Sequence, residues 1–374
     1  MPSAHLSDQT PIGPASRRPD RVRPGQPRPT PSRRSLPRTL LLPAGAAGVL
    51  VLSLILATLF GTANIGPADV VATVLRHVGL GALAPSPALP PLLDALVWES
   101  RVPRVLLAAV VGMALTVSGA ILQSVTRNPL ADPYLLGVSS GAGTGAVAVL
   151  LLGIGGGTLS LSAGAFLGAL VSFGSLLLLT GGGRTSSAAR VVLTGVLVSQ
   201  FFSALTSVIL LVDGDANSTR GFTFWLLGSL SGARWPSVLV AGSIILVGVL
   251  AVMYFVPALD AFTFGWDSAA ALGISVTSAR IWLMVITAVM TAAAVAASGA
   301  IGFVGLLVPH IVRILAGPLH RGLLPLSALV GAIFLVWVDT FARSAFAPNE
   351  VPVGVITALL GAPAFALVLR RVRG

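Results

Sequence analysis

"RVPRVLLAAVVGMALTVSGAILQSVTRNPLADPYLLGVSSGAG", residues 101–143, is the stretch on which the fold turns. From Pro103 to Leu122 only Arg104 carries a charge, and the run matches the ~20 residues that a helix needs to cross ~30 Å of hydrocarbon. Then Arg127, Asn128 and Asp132 arrive together with Pro129 and Pro133. Each proline lacks a backbone donor and pushes the residue before it out of helical geometry, so the spacing predicts a helix that stops and a hinge. A second apolar run begins at Pro133. Span, hinge and span set the pattern for the rest of the chain.

Composition agrees. The 374 residues are 55% hydrophobic and 9% charged, with a mean hydropathy of +0.94, against roughly 25% charged residues in soluble domains. Apolar segments at 39–62, 103–122, 133–152, 160–180, 190–212, 237–256, 281–299, 304–315, 323–343 and 352–369 predict an all-α polytopic membrane protein of about ten transmembrane helices. Strict polar and apolar alternation is missing from the sequence, which argues against a membrane β-barrel. There is no cysteine, so disulfides, thiolate metal sites and cysteine nucleophiles are excluded. All 23 basic residues are arginine. Without lysine there can be no Walker A loop, so ATP can drive this chain only through an ATPase on another chain. No cofactor and no nucleic-acid partner is implied.

Residues 1–38 are rich in Pro, Ser and Arg and read as a disordered cytoplasmic tail, not a cleaved signal, with residues 39–374 as the ten-helix membrane domain. With an even number of spans both termini share a side. Placing them in the cytoplasm puts 17 arginines inside and six outside, namely Arg76, Arg101, Arg104, Arg220, Arg234 and Arg343. An internal echo runs through the chain. Ser118-Gly119-Ala120-Ile121 recurs as Ser298-Gly299-Ala300-Ile301, and a proline, Pro129 or Pro309, stands eleven residues after each serine. On this topology one copy ends a descending span and the other an ascending one, the pattern of an inverted repeat.

Residues 101–143 closely resemble the permease family that imports iron-siderophores, heme and vitamin B12 through binding-protein-dependent ABC transporters. "SGAIGFVGLLVPHIVRILAGPLHRGLLPLSALVGAIFLVWVDTFAR", followed by "EVPVGVITALLGAPAF", resembles it equally over residues 298–365 in order and spacing. The resemblance implies a ten-span permease in the cell membrane, with a second permease subunit, cytoplasmic ABC ATPase subunits and an external substrate-binding protein as partners. It implies a cytoplasmic gate at Asn128, Pro129 and Leu130, with Ser187, Ala188 and Ala189 before Arg190 as a second gate element. Coupling to the ATPase is implied within residues 259–280. There Asp267 and Ser268 suit the start of a short helix running to Leu272, Gly273 a sharp turn before a second helix, and Arg280 the segment's end. Arg101, Arg104 and Arg343 match positions that meet acids on the binding protein, while Asp339, four residues before Arg343, suits an intrahelical brace. One departure is "GPLHR" at 317–321, where the family has an acidic residue before the histidine.

The residues alone leave other classes to weigh. His310 has no His, Asp or Glu at ligand spacing, so it reads as a packing residue and not as a metal ligand, and no residue is assigned a catalytic role. Ser139 and Ser140, among Gly137, Gly141 and Gly143, suit close helix packing more than a nucleophile. An ion-coupled secondary transporter would carry charge inside its spans, which are almost bare of it. The cargo expected from the resemblance is a ferric siderophore, with heme or cobalamin as alternatives.

Overall fold

A computed structural model describes residues 38–61, 65–181, 188–347 and 349–372. The tail reading falls outside these residues, save that Arg38 opens the first helix. Ten principal helices occur in the expected order: α1 (Arg38–Leu59), α4 (Val102–Val125), α5 (Val138–Leu151), α6 (Leu161–Leu179), α7 (Ala188–Asp213), α9 (Trp235–Tyr254), α12 (Val276–Ser298), α13 (Val304–Ala316), α14 (His320–Ser344) and α15 (Val353–Val372). Between them lie short helices that hydropathy did not mark: α2 (Pro67–His77), α3 (Pro91–Ala95), α8 (Ala216–Leu226), α10 (Val256–Phe262) and α11 (Trp266–Ala271). Among the described residues, seven helices are long and apolar enough to cross a membrane, and α5, α13 and α15 supply shorter apolar ones.

The helix α4 is the core of the bundle. In its most apolar window 83% of the residues are buried, against 17% for α1, and it packs on α9, α12, α13 and α14. Apolar side chains gain nothing from meeting one another instead of lipid, so close packing must come from small residues and hydrogen bonds. Gly112 lies against the backbone of Gly331 in α14, and Gly119 against that of Gly305 in α13. Thr116, between them, donates to the Ser327 carbonyl of α14 at 2.9 Å. A second group, α5 with α6 and α7, is joined the same way: Gly141, Gly145, Gly164 and Gly168 bring α5 and α6 into backbone contact.

One expected span is broken, and the break expected between 281–299 and 304–315 is present. The 133–152 segment is a 3-10 turn (Pro133–Leu136), then Gly137 with φ +79°, then α5. The chain also leaves helix after Ser298 and re-enters it at Val304. With 14 and 13 residues, α5 and α13 cover about 20 Å each at 1.5 Å per residue, short of the hydrocarbon thickness, so irregular backbone must make up the difference. Protein groups take up part of that backbone, as a membrane favours. Tyr134 Oη accepts from the Ile301 amide at 2.6 Å, and Ser229 N donates to the Ser298 carbonyl at 2.8 Å. The echo is therefore one of sequence but not of local structure: Ser118–Ile121 is helical inside α4, whereas Gly299–Ile301 is unwound.

Candidate functional site

The hinge of the opening stretch is built as expected, with one addition. The helix α4 ends in a Schellman motif: the Arg127 amide donates to the Ser124 carbonyl and the Asn128 amide to that of Gln123. Arg127 occupies the left-handed position at φ +50°, where glycine is usual and a side chain costs about 1 to 2 kcal/mol. Asn128 Oδ1 accepts from the Leu130 amide at 3.0 Å, an Asx turn that projects Pro129 and Leu130 to the surface. Asp132 then caps the 3-10 turn by accepting from Tyr134 N at 2.8 Å. Burial pushes the Asp132 carboxyl up to about 6, the Tyr134 hydrogen bond opposing it. Of the second gate element, Ser187 lies outside the described residues, while Ala188 opens α7 and Ala189 is exposed.

Residues 259–280 form an elbow whose layout differs from the expected one. The short helix paired with α11 is α10, which precedes it, and Gly273 leads directly into the long span α12. Gly265, at φ +108°, is the N-cap of α11, so Asp267 lies in the first turn and is not the cap. Gly273 does turn the chain, at φ +82°. Phe264 and Leu272 are exposed, 74% and 71%, so the elbow presents apolar side chains outward. Arg280 is buried, its guanidinium 4.4 Å above the Trp266 ring, and ties α11 to α12. Trp266 had no signal in the sequence beyond being aromatic.

The "GPLHR" turn has an acidic partner after all. Leu319 is the N-cap of α14 and offers no side-chain oxygen, but Asp260 of α10 reaches across. Its Oδ1 accepts from the His320 amide at 2.7 Å and lies 2.8 Å from His320 Nδ1. His320 Nε2 meets Ser124 Oγ of α4 at 2.6 Å.

Arg101, Arg104 and Arg343 converge on one rim. Arg101 donates to the Thr58 and Leu59 carbonyls, and Arg343 to those of Ala57 and Phe60, so both neutralise the open C-terminal end of α1. Arg104 grips Asp339 through Nε and Nη2 at 3.0 to 3.1 Å, and its Nη1 meets Glu350 at 3.0 Å. The brace between Asp339 and Arg343 exists at 3.6 Å, looser than the cross-helix pair with Arg104. Asp339 is 1% exposed and Glu350 37%. Glu350 lies in a loop with no periodicity to mark it in the sequence.

His310 is half-buried in α13, and among the described residues no group of three or more His, Asp or Glu side chains is placed to hold a metal. Ser140 accepts a hydrogen bond from Ser203 of α7 at 3.3 Å, a helix-packing contact.

Residues 49–371 match the model of the FecCD transport family. The chain belongs to that family. It is 42% identical over 330 residues to the ABC transporter permease protein YvrB of Bacillus subtilis, covering 86% of this chain and 91% of that one. It is also 42% identical to the cobalamin import system permease protein BtuC of Halobacterium salinarum, covering 74% of each. A solved metal-chelate-type ABC transporter in an inward-facing conformation superposes with a TM-score of 0.76 at 28% identity, over 88% of this chain and 99% of that one.

Proposed function

We propose that the chain is the membrane-spanning subunit of an ABC importer and carries a ferric siderophore, or a related iron or tetrapyrrole chelate, into the cytoplasm. The observation that carries this reading is the elbow from α10 to α12: two short helices with Phe264 and Leu272 outward, in a family member whose sequence cannot bind ATP through a Walker loop. The elbow docks on a separate ATPase, a second permease completes the path, and an external binding protein delivers cargo to the rim around Arg104. Both termini then lie in the cytoplasm and the chain resides in the plasma membrane. Asn128, Pro129 and Leu130 with Ala188 and Ala189 narrow the cytoplasmic mouth. Cobalamin is the second reading, favoured by the similarity to BtuC.

The test is uptake in a strain lacking the gene. Ferric siderophore accumulation should fall and return on complementation; a defect confined to labelled cobalamin or heme would reassign the cargo. Gly273 probes the elbow. A Cβ there meets open space, so Gly273→Val acts through its left-handed φ alone and should distort the elbow without disturbing the bundle. ATP hydrolysis by the reconstituted complex should persist while uptake per ATP drops severalfold. Unchanged uptake per ATP would remove the elbow from the coupling role.

A further inference from the structure

Three helices meet at His320, and each belongs to a different part of the cytoplasmic face. Asp260 sits on α10 of the elbow, His320 opens α14, and Ser124 lies four residues before Asn128 of the hinge. His320 is 1% exposed and bonded on both ring nitrogens as well as at its amide. The carboxylate can only accept, so Nδ1 carries a proton, and Asp260 also serves as the missing cap of α14. Moving α10 would therefore strip the first turn of α14 of its acceptor unless α14 moved with it. A pocket of about 260 Å³ opens beside this chain of bonds, between Phe262 and Thr263 on the elbow side and Arg127 and Pro129 on the hinge side. There the elbow and the hinge have room to shift, and the polar bridge spans the gap.

We propose that Asp260, His320 and Ser124 form a strut that carries displacement of the elbow to the C-terminal end of α4 and so to the hinge. The three are bonded in the order of a serine hydrolase relay, but Ser124 stands inside a regular helix. Its hydroxyl also reaches the Ala120 carbonyl at 3.0 Å, and the neighbouring amides are held in the helical ladder, so no donors are left for an oxyanion. Asp260 and His320 are positioning residues, and Ser124 is the point of delivery. The strut rests on the coupling reading of the elbow, and its test separates the two.

The chain has no native cysteine, so paired spin labels can be placed cleanly. Leu178 on α6 is 83% exposed and serves as a reference, with Leu130 reporting the hinge and Leu272 the elbow, each changed to cysteine in the permease assembled with its ATPase. With ATP and vanadate, both the 178–130 and the 178–272 distances should shift. In Ser124→Ala the 178–272 shift should remain and the 178–130 shift should be lost, at unchanged thermal stability; Ser124→Thr, which keeps the hydroxyl, should restore it. A full 178–130 shift in Ser124→Ala overturns the strut while sparing the elbow. Loss of the 178–272 shift in the unsubstituted background overturns the elbow and, with it, the strut. A fall in stability that accounts for both losses assigns Ser124 to packing and overturns the proposal.

Discussion

Gly119→Val should prevent α4 from seating in the bundle, giving a chain that inserts but denatures far below the parent in detergent. A Cβ on Gly119 would fall inside the contact radius of the Gly305 carbonyl oxygen, carbon and Cα, all backbone atoms of α13. A flexible side chain could swing away, but the Gly305 carbonyl moves only with the α13 backbone; with Pro309 four residues on, it has no ladder donor and accepts instead from Gln123 Nε2. Ordinary overpacking costs about 1 to 3 kcal/mol, and here no rotamer relieves it, so the loss should reach or pass the upper end of that range. Separating α4 from α13 would also weaken the bond from Gln123 Nε2 to the Gly305 carbonyl at 3.2 Å and strain the contact of Arg313 with Gln123. The control is Gly45→Val on α1, where a Cβ meets nothing within 4 Å and a small residue serves no packing purpose. Thermal unfolding of the two variants followed by size-exclusion chromatography decides the matter: equal midpoints would show that α4 and α13 do not approach as closely as described.

The number and order of the spans were legible because hydrocarbon imposes a length and a composition on every helix that crosses it. Hence 237–256 and 323–343 foretold α9 and α14 to within a few residues. What hydropathy could not show was where a span breaks. The gap between 281–299 and 304–315 was legible, but apolar residues continue through Gly137, and only its positive φ reveals that the backbone has left the helix inside 133–152. Amphipathic α2 and α8 were missed for a related reason, being too short and too polar to register as spans. The hinge was legible through two prolines, and Gly273 through its lone position after an alanine run. The partner of His320 was not. Asp260 lies 60 residues away, and its role as cap exists only because Leu319 cannot serve, a long-range substitution that no local spacing encodes.

Charge reversal at the rim should divide the three arginines into two kinds. In Arg343→Glu a carboxylate would face the Ala57 and Phe60 carbonyls and approach Asp339, itself 1% exposed, where water cannot screen the repulsion. Arg101→Glu would likewise turn a donor to Thr58 and Leu59 into an acceptor against acceptors. Breaking a buried charge arrangement in this way costs about 3 to 5 kcal/mol, so both variants should lose folded yield and basal ATPase together once assembled with the ATPase. Arg104 stands differently, since one of its nitrogens is spent on exposed Glu350. Glu350→Gln leaves the Arg104–Asp339 pair intact and gives the rim a surplus of positive charge. An exposed pair is worth at most about 1 kcal/mol, so docking of an acidic binding protein should tighten by up to about fivefold in Glu350→Gln. The gain should fade toward 1 M salt, where the Debye length has dropped from ~10 Å at 0.1 M to ~3 Å. Stability should stay near the parent's, because the glutamine keeps an oxygen for Arg104 Nη1 and the buried Arg104–Asp339 pair is untouched. Binding-protein affinity measured across salt, beside thermal midpoints, separates the roles. A wild-type midpoint for Arg343→Glu would refute the anchoring of α1, and an unchanged, salt-independent affinity for Glu350→Gln would remove the rim from the docking surface.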